Sequence, residues 1–297
     1  MDRLDVERHF SDLGIGLGAE VHPAGEVLAE KRRPGMANLT LWRGDTPVVR
    51  VTWRQDWVPG KLMSFRVTRP SAFRFRAGQF ARLGICGSDG RVIWRALSVV
   101  SAEYDDYLEF FVVQVPDGEF SAHLASLDVG STLLLDRRAF GYLTIDRFAD
   151  GDQLWLFGSG TGVAPYLSIL ADPETWRRFT DIVVVYSVRK EVELAYREWF
   201  ASLMNHPLVG EHAYRLRFVP VVTGEHVAGV YGQRVTRGIA DGSLEAHVDL
   251  ALDTQRSRIM VCGNPDLVRD MRTVLGERGF SLARSSHPGQ IALELYW

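Results

Sequence analysis

The stretch that decides the fold runs from Leu154 to Leu167 and reads LWLFGSGTGVAPYL. An apolar run leads into three alternating glycines, and Pro165 follows at a position where a helix can begin. Glycines let the backbone turn sharply and approach a ligand closely, and a helix N-terminus presents N–H groups and a positive dipole end. The segment therefore suits a pyrophosphate, although the pattern taken alone also fits an ordinary tight turn between a strand and a helix.

Length and composition indicate a globular protein of about two domains. The chain has 297 residues, of which 46% are hydrophobic and 24% charged, and its net charge of −3 gives no electrostatic reason to expect nucleic acid. Two isolated cysteines, Cys86 and Cys262, argue against a disulfide framework, a zinc site or an iron–sulfur cluster, so we expect no metal. Neither a membrane span nor a signal peptide is present in the sequence, so we expect a cytoplasmic protein without a membrane partner.

The first 38 residues differ in composition from those that follow. They hold glycines and charges without a sustained apolar period, so we predict a disordered N-terminal extension over residues 1–38. The alternative is a short docked helix around Leu4 to Leu13.

Residues 39–148 show the pattern of an antiparallel β-domain. Short segments rich in branched and aromatic residues alternate with turn residues, and their spacing predicts a closed six-stranded barrel. One interruption, Glu119 to Leu127, is predicted to be a short helix. The predicted strands are Val48–Trp53, Leu62–Val67, Phe80–Ile85, Val92–Val100, Leu108–Val115 and Thr132–Leu135.

The hydrophobic pattern changes at a domain boundary near Asp146 to Gly151, and residues 149–297 follow the new pattern. Near-continuous apolar runs are typical of strands buried on both faces, and helical segments separate them. This alternation predicts a Rossmann-like α/β domain with a parallel sheet covered by helices. The predicted strands are Leu154–Phe157, Ile182–Tyr186, Leu216–Val222 and Arg258–Val261, and the predicted helices are Pro165–Leu170, Glu191–Met204 and Pro265–Arg278.

The residues after the second parallel strand favour NADP over NAD. In such sheets an Asp or Glu at this corner holds the ribose 2′-hydroxyl, whereas an Arg accommodates a 2′-phosphate. Here the strand leads into Arg189 and Lys190. The alternative for Arg189 is a solvated surface charge.

The order of these motifs resembles the ferredoxin/flavodoxin–NADP⁺ reductase family, and within it the bacterial branch whose chains end on two aromatic residues. Two further motifs carry the resemblance: RALS at Arg95–Ser98 is similar to the family's Arg-x-Tyr-Ser, and CGNP at Cys262–Pro265 to its Cys-Gly-x-Pro. The resemblance spans about Leu39 to Trp297. It implies a monomeric FAD enzyme that takes hydride from NADPH and reduces ferredoxin or flavodoxin, and it implies that residues 1–35 contribute nothing to FAD binding.

The resemblance implies FAD contacts along much of the chain. Arg95 would pair with the diphosphate through its planar fork, and Ser98 would reach the reactive edge of the flavin. Leu97 stands where the family has a Tyr, so the flavin loses an aromatic neighbour there. At the C-terminus, Tyr296 would stack on the flavin and Trp297 on the adenine; the alternative is a terminus packed into a protein groove. The residues implied for FAD are Arg95, Ala96, Leu97, Ser98, Val112, Gly118, Glu119, Phe120, Ser121, Thr161, Tyr296 and Trp297.

The resemblance also implies coenzyme-binding and catalytic residues. Ser98 and Cys262 would frame the hydride-transfer site, Glu294 would handle a proton, and Tyr296 would cover the flavin face that the nicotinamide must occupy. The alternative for Cys262 is a small core side chain. A basic residue expected in the family is absent at Gly224, so one phosphate contact is predicted to be missing. The residues implied for NADP are Gly160, Thr161, Gly162, Arg189, Arg234, Cys262, Asn264 and Arg269.

Two other functions stay open on the sequence alone. One is the reductase component of an oxygenase, although the two cysteines exclude a fused four-cysteine ferredoxin module. The other is a non-catalytic flavin-binding sensor, against which the complete nucleotide domain weighs. Docking of an acidic carrier needs local positive charge, for which a solvated arginine face is the simpler alternative. The candidate arginines are Arg74, Arg76, Arg82, Arg91, Arg137 and Arg138.

Overall fold

The structure is a computed structural model that describes residues 41–43, 46–86, 91–115, 118–284 and 288–295. It contains two β-sheets, an antiparallel one followed along the chain by a parallel one. The predicted N-terminal extension lies outside the described residues.

The antiparallel sheet confirms the predicted six strands and adds a short one, β1, at its start. Its order is β5-β4-β7-β2-β3-β6, with β1 paired to β2. The outermost strands approach each other at one antiparallel bridge, between Val99 and Phe110, rather than along a full ladder. The strands are β1 (Leu41–Arg43), β2 (Thr46–Val58), β3 (Leu62–Thr68), β4 (Phe80–Cys86), β5 (Val92–Ser98), β6 (Tyr107–Val113) and β7 (Thr132–Phe140).

The helix predicted between β6 and β7 is present as α1 (Glu119–Ala125), two residues shorter than expected at its C-terminal end. Alternation in β2 places Val49 and Val51 inside, where they join a core with Phe65 of β3 and Leu133 of β7. One face of this sheet is therefore filled by apolar side chains, as the period of two predicts.

The parallel sheet has the order β10-β9-β8-β11-β12 and confirms the predicted α/β architecture. All seven residues of β11 are buried, as expected for a strand covered on both faces. The pattern did not predict β12. The strands are β8 (Gln153–Ser159), β9 (Asp181–Val188), β10 (Leu216–Val222), β11 (Ser257–Gly263) and β12 (Ile291–Leu295).

Helices cover this sheet, and several of them are shorter than two turns. No helix within the described ranges is long and apolar enough to cross a membrane. The helices are α2 (Ala164–Ala171), α3 (Pro173–Arg178), α4 (Arg197–Ser202), α5 (Val235–Ala240), α6 (Ser243–Val248) and α7 (Pro265–Glu277). Additional 3₁₀ turns include Gly160–Val163, Glu191–Glu193 and Leu203–Asn205.

The prediction of one helix over Glu191–Met204 is wrong. The segment instead forms a 3₁₀ turn, a break and α4, and the break ends at Tyr196 with a φ of 59°. A left-handed conformation costs a non-glycine residue about 1–2 kcal/mol. Burial of Tyr196 and a 2.7 Å hydrogen bond from its hydroxyl to Glu109 of β6 offset this cost, so contacts with the other sheet outweigh helical propensity.

Between the two sheets lies an apolar core to which both contribute, separate from the core within the antiparallel sheet. A single cluster contains Leu62 and Phe111 from the antiparallel sheet together with Leu156, Tyr186 and Met260 from the parallel sheet. Because close-packed side chains fix the distance between the layers, the edges of the two sheets keep a defined relation to each other.

Tyr166 fixes α2 against the parallel sheet. The ring is fully buried, and its hydroxyl lies 2.8 Å from the carbonyl oxygen of Phe157 in β8 and 3.1 Å from that of Met260 in β11. The start of α2 is therefore held where β8 and β11 end.

We expect Tyr166→Phe to lower the free energy of unfolding by about 1–2 kcal/mol, because a buried hydrogen-bond donor to these carbonyls is lost. Urea denaturation followed by circular dichroism measures the change. The matched control is Tyr142→Phe, since Tyr142 is exposed. Equal stability of the two variants would contradict the role of Tyr166.

Candidate functional site

The site begins at the edge where the central parallel strands end. Cys262 of β11 pairs in register with Gly158 of β8 on one side and with Glu294 of β12 on the other. Ligands of open α/β sheets bind outside the carboxyl ends of the strands. The register therefore brings the two predicted residues Cys262 and Glu294 together at that edge.

The glycine turn packs directly on this edge. After β8 the chain forms the 3₁₀ turn Gly160–Val163 and enters α2, as the sequence predicted. A Cβ on Gly162 would overlap the carbonyl oxygen of Cys262, so no larger residue fits there without a backbone shift. Thr161 lies between the two glycines and is partly exposed.

The second turn, after β11, is joined to the first by Ser159. The Ser159 Oγ accepts hydrogen bonds from the backbone N–H of Asn264 at 3.1 Å and from its side-chain Nδ2 at 3.2 Å. The Asn264 Oδ1 in turn accepts the N–H of Leu267 at 2.9 Å and caps α7. Asn264 therefore has a structural role, and its predicted contact with NADP stays a prediction. Sequence reasoning missed Ser159, for which its place between two glycines was the available signal.

Ser98 brings the antiparallel sheet into the same site. It ends β5, is 2% exposed, and places its Oγ 3.4 Å from the Oε1 of Glu294. Burial raises the pKa of Glu294 to about 7, against the opposing effect of the Ser98 hydrogen bond. Burial, with the Glu294 charge adding to it, raises the pKa of the Cys262 thiol well above its usual value. Cys262 thus stays protonated, whereas Glu294 can gain or lose a proton near neutrality.

The predicted diphosphate side of the FAD site lies along β5 and α1. Arg95 is exposed, donates from Nη1 to the carbonyl of Trp94 at 2.9 Å, and holds its guanidinium 5.9 Å from the ring centroid of Phe120. Gly118 directly precedes α1, and the Ser121 Oγ accepts the N–H of Val115 at 2.9 Å. Arg95 and the start of α1 are thereby neighbours.

The other residues predicted for FAD differ in accessibility. Ala96 is exposed and Leu97 is partly buried against the core of the antiparallel sheet, whereas Val112 is 3% exposed with its side chain in that core. Glu119 occupies the first turn of α1. The terminal residues Tyr296 and Trp297 lie outside the described residues, so their predicted stacking stays a prediction.

The predicted 2′-phosphate corner follows β9 and β10. Arg189 is exposed directly after β9, and Arg234 is exposed at the start of α5. Gly224 has a physical reason to be a glycine, because a Cβ there would lie 2.6 Å from the carbonyl oxygen of Arg189. Arg269, also predicted for NADP, is on the surface of α7 and forms a 2.8 Å ion pair with Asp266.

The residues present fit both nucleotide cofactors. The glycine turn lies against the Cys262 carbonyl and leads into the N-terminus of α2, which suits a nucleotide phosphate. An exposed Arg95 beside the start of α1 suits a second diphosphate. A partly buried carboxyl and a thiol at the junction of the sheets complete the arrangement.

Comparison with known proteins agrees with this geometry. The oxidoreductase FAD-binding domain model matches residues 60–136, and the oxidoreductase NAD-binding domain model matches residues 156–273. Ferredoxin–NADP reductase A of Sorangium cellulosum is 38% identical over 79% of this chain and 84% of its own length. The protein belongs to the ferredoxin/flavodoxin–NADP reductase family.

Two further members of the family show how completely the chain is covered. The flavodoxin/ferredoxin–NADP reductase of Escherichia coli is 34% identical over 82% of this chain and 99% of its own length. The crystal structure of a ferredoxin NADP⁺ reductase from Neisseria gonorrhoeae, with bound FAD and NADP, superimposes with a TM-score of 0.79 at 38% identity. That match covers 86% of this chain and all of the other.

The position of Glu294 predicts a pH-dependent reaction. With a pKa of about 7, its carboxyl is a proton donor below neutrality and a carboxylate above it. We expect kcat of the reductase reaction to fall as pH rises through about 7 in the wild type, because the proton donor is lost. Glu294→Gln should lose this pH dependence. The measurement is kcat against pH. Glu277→Gln, at the exposed end of α7, is the matched control, and a Glu294→Gln profile like that of the wild type would rule out the role.

Proposed function

We propose that the chain is a cytoplasmic, monomeric, FAD-dependent NADPH:ferredoxin/flavodoxin oxidoreductase. The observation that carries the proposal is the meeting of Ser98, Cys262 and Glu294 where the two sheets join, beside the glycine turn. The family supports the same activity. Bound FAD would supply hydride acceptance from NADPH and one-electron transfer to the carrier.

The chain's own residues bind and orient the cofactors and donate or accept protons. The Ser98 hydroxyl is a hydrogen-bond donor at the junction of the sheets, and the protonated Cys262 thiol, fully buried in the apolar core, adds no charge there. Glu294 holds or releases a proton near neutral pH. Arg189 and Arg234 provide the positive charge for a 2′-phosphate, with one contact fewer at Gly224.

We assign FAD binding to residues 39–148 and NADP binding to residues 149–297. The terminal pair, Tyr296 and Trp297, would cover the flavin and the adenine. For carrier docking we propose the arginines of neighbouring strands, Arg82 of β4 and Arg137 and Arg138 of β7. Arg82 pairs with Asp136 at 3.4 Å, lies near the rings of Trp94 and Phe140, and is partly exposed.

The test of the proposed function is steady-state turnover of the FAD-loaded protein. NADPH or NADH is the donor and cytochrome c the acceptor, with and without added ferredoxin or flavodoxin. We expect NADPH-dependent reduction of cytochrome c that increases with the carrier. A protein that holds FAD without turnover would be a sensor, and turnover that ignores both carriers would favour an oxygenase reductase.

Coenzyme choice gives a sharper prediction. We expect Arg189→Ala to raise KM for NADPH about 10- to 100-fold, because a charge-assisted hydrogen bond contributes about 1.5–3 kcal/mol. KM for NADH should change little, since NADH lacks the 2′-phosphate. Arg177→Ala is the matched control, because Arg177 is exposed on α3. Equal effects of Arg189→Ala on the two coenzymes would make Arg189 a simple surface charge.

A further inference from the structure

One buried carboxylate holds the loop that follows β9. Glu193 is 7% exposed, and its Oε2 accepts the backbone N–H of Arg189 at 3.1 Å and that of Lys190 at 3.3 Å. From the other side, the N–H of Gly224 donates to the Arg189 carbonyl at 2.8 Å. The backbone that carries the Arg189 side chain is therefore fixed on two sides.

The second oxygen of Glu193 reaches the other sheet. Its Oε1 pairs with the ammonium of Lys61, which lies in the turn between β2 and β3. The backbone of Lys61 is itself ordered: its N–H donates to the Val58 carbonyl at 2.9 Å, and its carbonyl accepts the N–H of Gln114 at 2.8 Å. The coenzyme loop of the parallel sheet is thus tied to a turn of the antiparallel sheet.

The charge balance of this contact matters for an anionic ligand. A carboxylate next to a phosphate-binding loop repels the phosphate unless a cation neutralises it. Burial acts to raise the pKa of Glu193, but the hydrogen bonds from Lys61, Lys190 and Arg189 outweigh it, so the pKa is lowered overall. Glu193 is therefore ionised at neutral pH, and Lys61 is the cation that balances it.

We propose that Glu193 and Lys61 are positioning residues for coenzyme selection. Glu193 holds the Arg189–Lys190 loop in the conformation that receives a 2′-phosphate, and Lys61 neutralises the carboxylate and ties the loop to the antiparallel sheet. This inference rests on the proposed function, since it concerns the same coenzyme site. An ordered loop matters more here because Gly224 provides no side chain for the phosphate, and pre-ordering reduces the entropy lost on binding.

The test separates loop positioning from general stability. Calorimetry measures the Kd of adenosine 2′,5′-bisphosphate and of AMP for the FAD-loaded wild type, Glu193→Ala, Glu193→Gln and Lys61→Met, and steady-state assays give KM for both coenzymes. We expect Glu193→Ala to weaken binding of the bisphosphate about tenfold and binding of AMP less than about twofold. KM for NADPH should rise in parallel, and kcat should be retained. Glu193→Gln keeps an oxygen for the two N–H groups and should restore most of the affinity.

The Lys61→Met variant tests the charge. It leaves the carboxylate without its cation, so we expect weaker bisphosphate binding by about three- to tenfold, with a larger effect at low ionic strength. The Lys61 side chain is about half-exposed, so we expect this variant to keep the fold even if Glu193→Ala does not. Glu198→Ala, an exposed carboxylate of α4, is the matched control.

Two results would overturn the inference, and a third would overturn the proposed function instead. An equal loss of affinity for the bisphosphate and for AMP in Glu193→Ala would indicate a general structural role. Unchanged affinities in both Glu193→Ala and Lys61→Met would show that neither residue has a role in coenzyme selection. A wild type that binds AMP as tightly as the bisphosphate would instead overturn the NADP assignment of the proposed function. The two failures are therefore distinguishable.

Discussion

A buried chain of hydrogen bonds centred on Tyr196 fixes the two sheets against each other. The Trp57 Nε1–H donates to the Ser64 Oγ at 2.8 Å, Ser64 contacts the Tyr196 hydroxyl, and Tyr196 donates to Glu109 at 2.7 Å. Arg66 completes the chain by donating from Nε to Glu109 at 2.8 Å. Burial raises the pKa of Tyr196 well above its usual value, so its hydroxyl remains a donor. Losing one partner would leave a buried polar group unpaired, which is costly.

The candidate site depends on this arrangement because its residues come from both sheets. Ser98 ends a strand of one sheet, whereas Cys262 and Glu294 sit on adjacent strands of the other. Only a fixed relation between the sheets brings the Ser98 Oγ to 3.4 Å from Glu294. The groups that meet there are neutral or easily neutralised, and this suits a site that receives hydride, since a fixed negative charge would oppose its arrival.

Local sequence pattern predicted both sheets, because period-two alternation and continuous apolar runs are each set by neighbouring residues. The glycine turn was also predictable. Gly162 packs on Cys262 so closely that a side chain is excluded, and this constraint is visible in the sequence as a glycine. The strand β12 was not predictable, because Ile291–Leu295 is only five residues long and is defined by pairing with the distant strand β11. The break at Tyr196 was hidden for the same reason, as its cause is Glu109, 87 residues away.

The sequence identified several residues of the candidate site, but it did not reveal which contacts they make. Glu294 and Ser98 were identified as candidates, but their contact depends on the packing of the two sheets. Asn264, predicted to contact NADP, also caps α7 and bonds Ser159, a structural role that its type alone did not predict. Glu193 shows that a carboxylate in a charged stretch can be buried and can organise a loop, which composition alone does not reveal.

The most direct test of the account is the single-turnover rate at which NADPH reduces the FAD-loaded protein, measured by stopped flow in the wild type and in Ser98→Ala. If Ser98 meets Glu294 at the hydride-transfer site, the limiting rate should fall at least about tenfold while FAD content and the Kd of NADPH are retained, because a hydrogen-bond donor at the reacting centre is lost. An unchanged limiting rate in Ser98→Ala would contradict the placement of the hydride-transfer site between the two sheets.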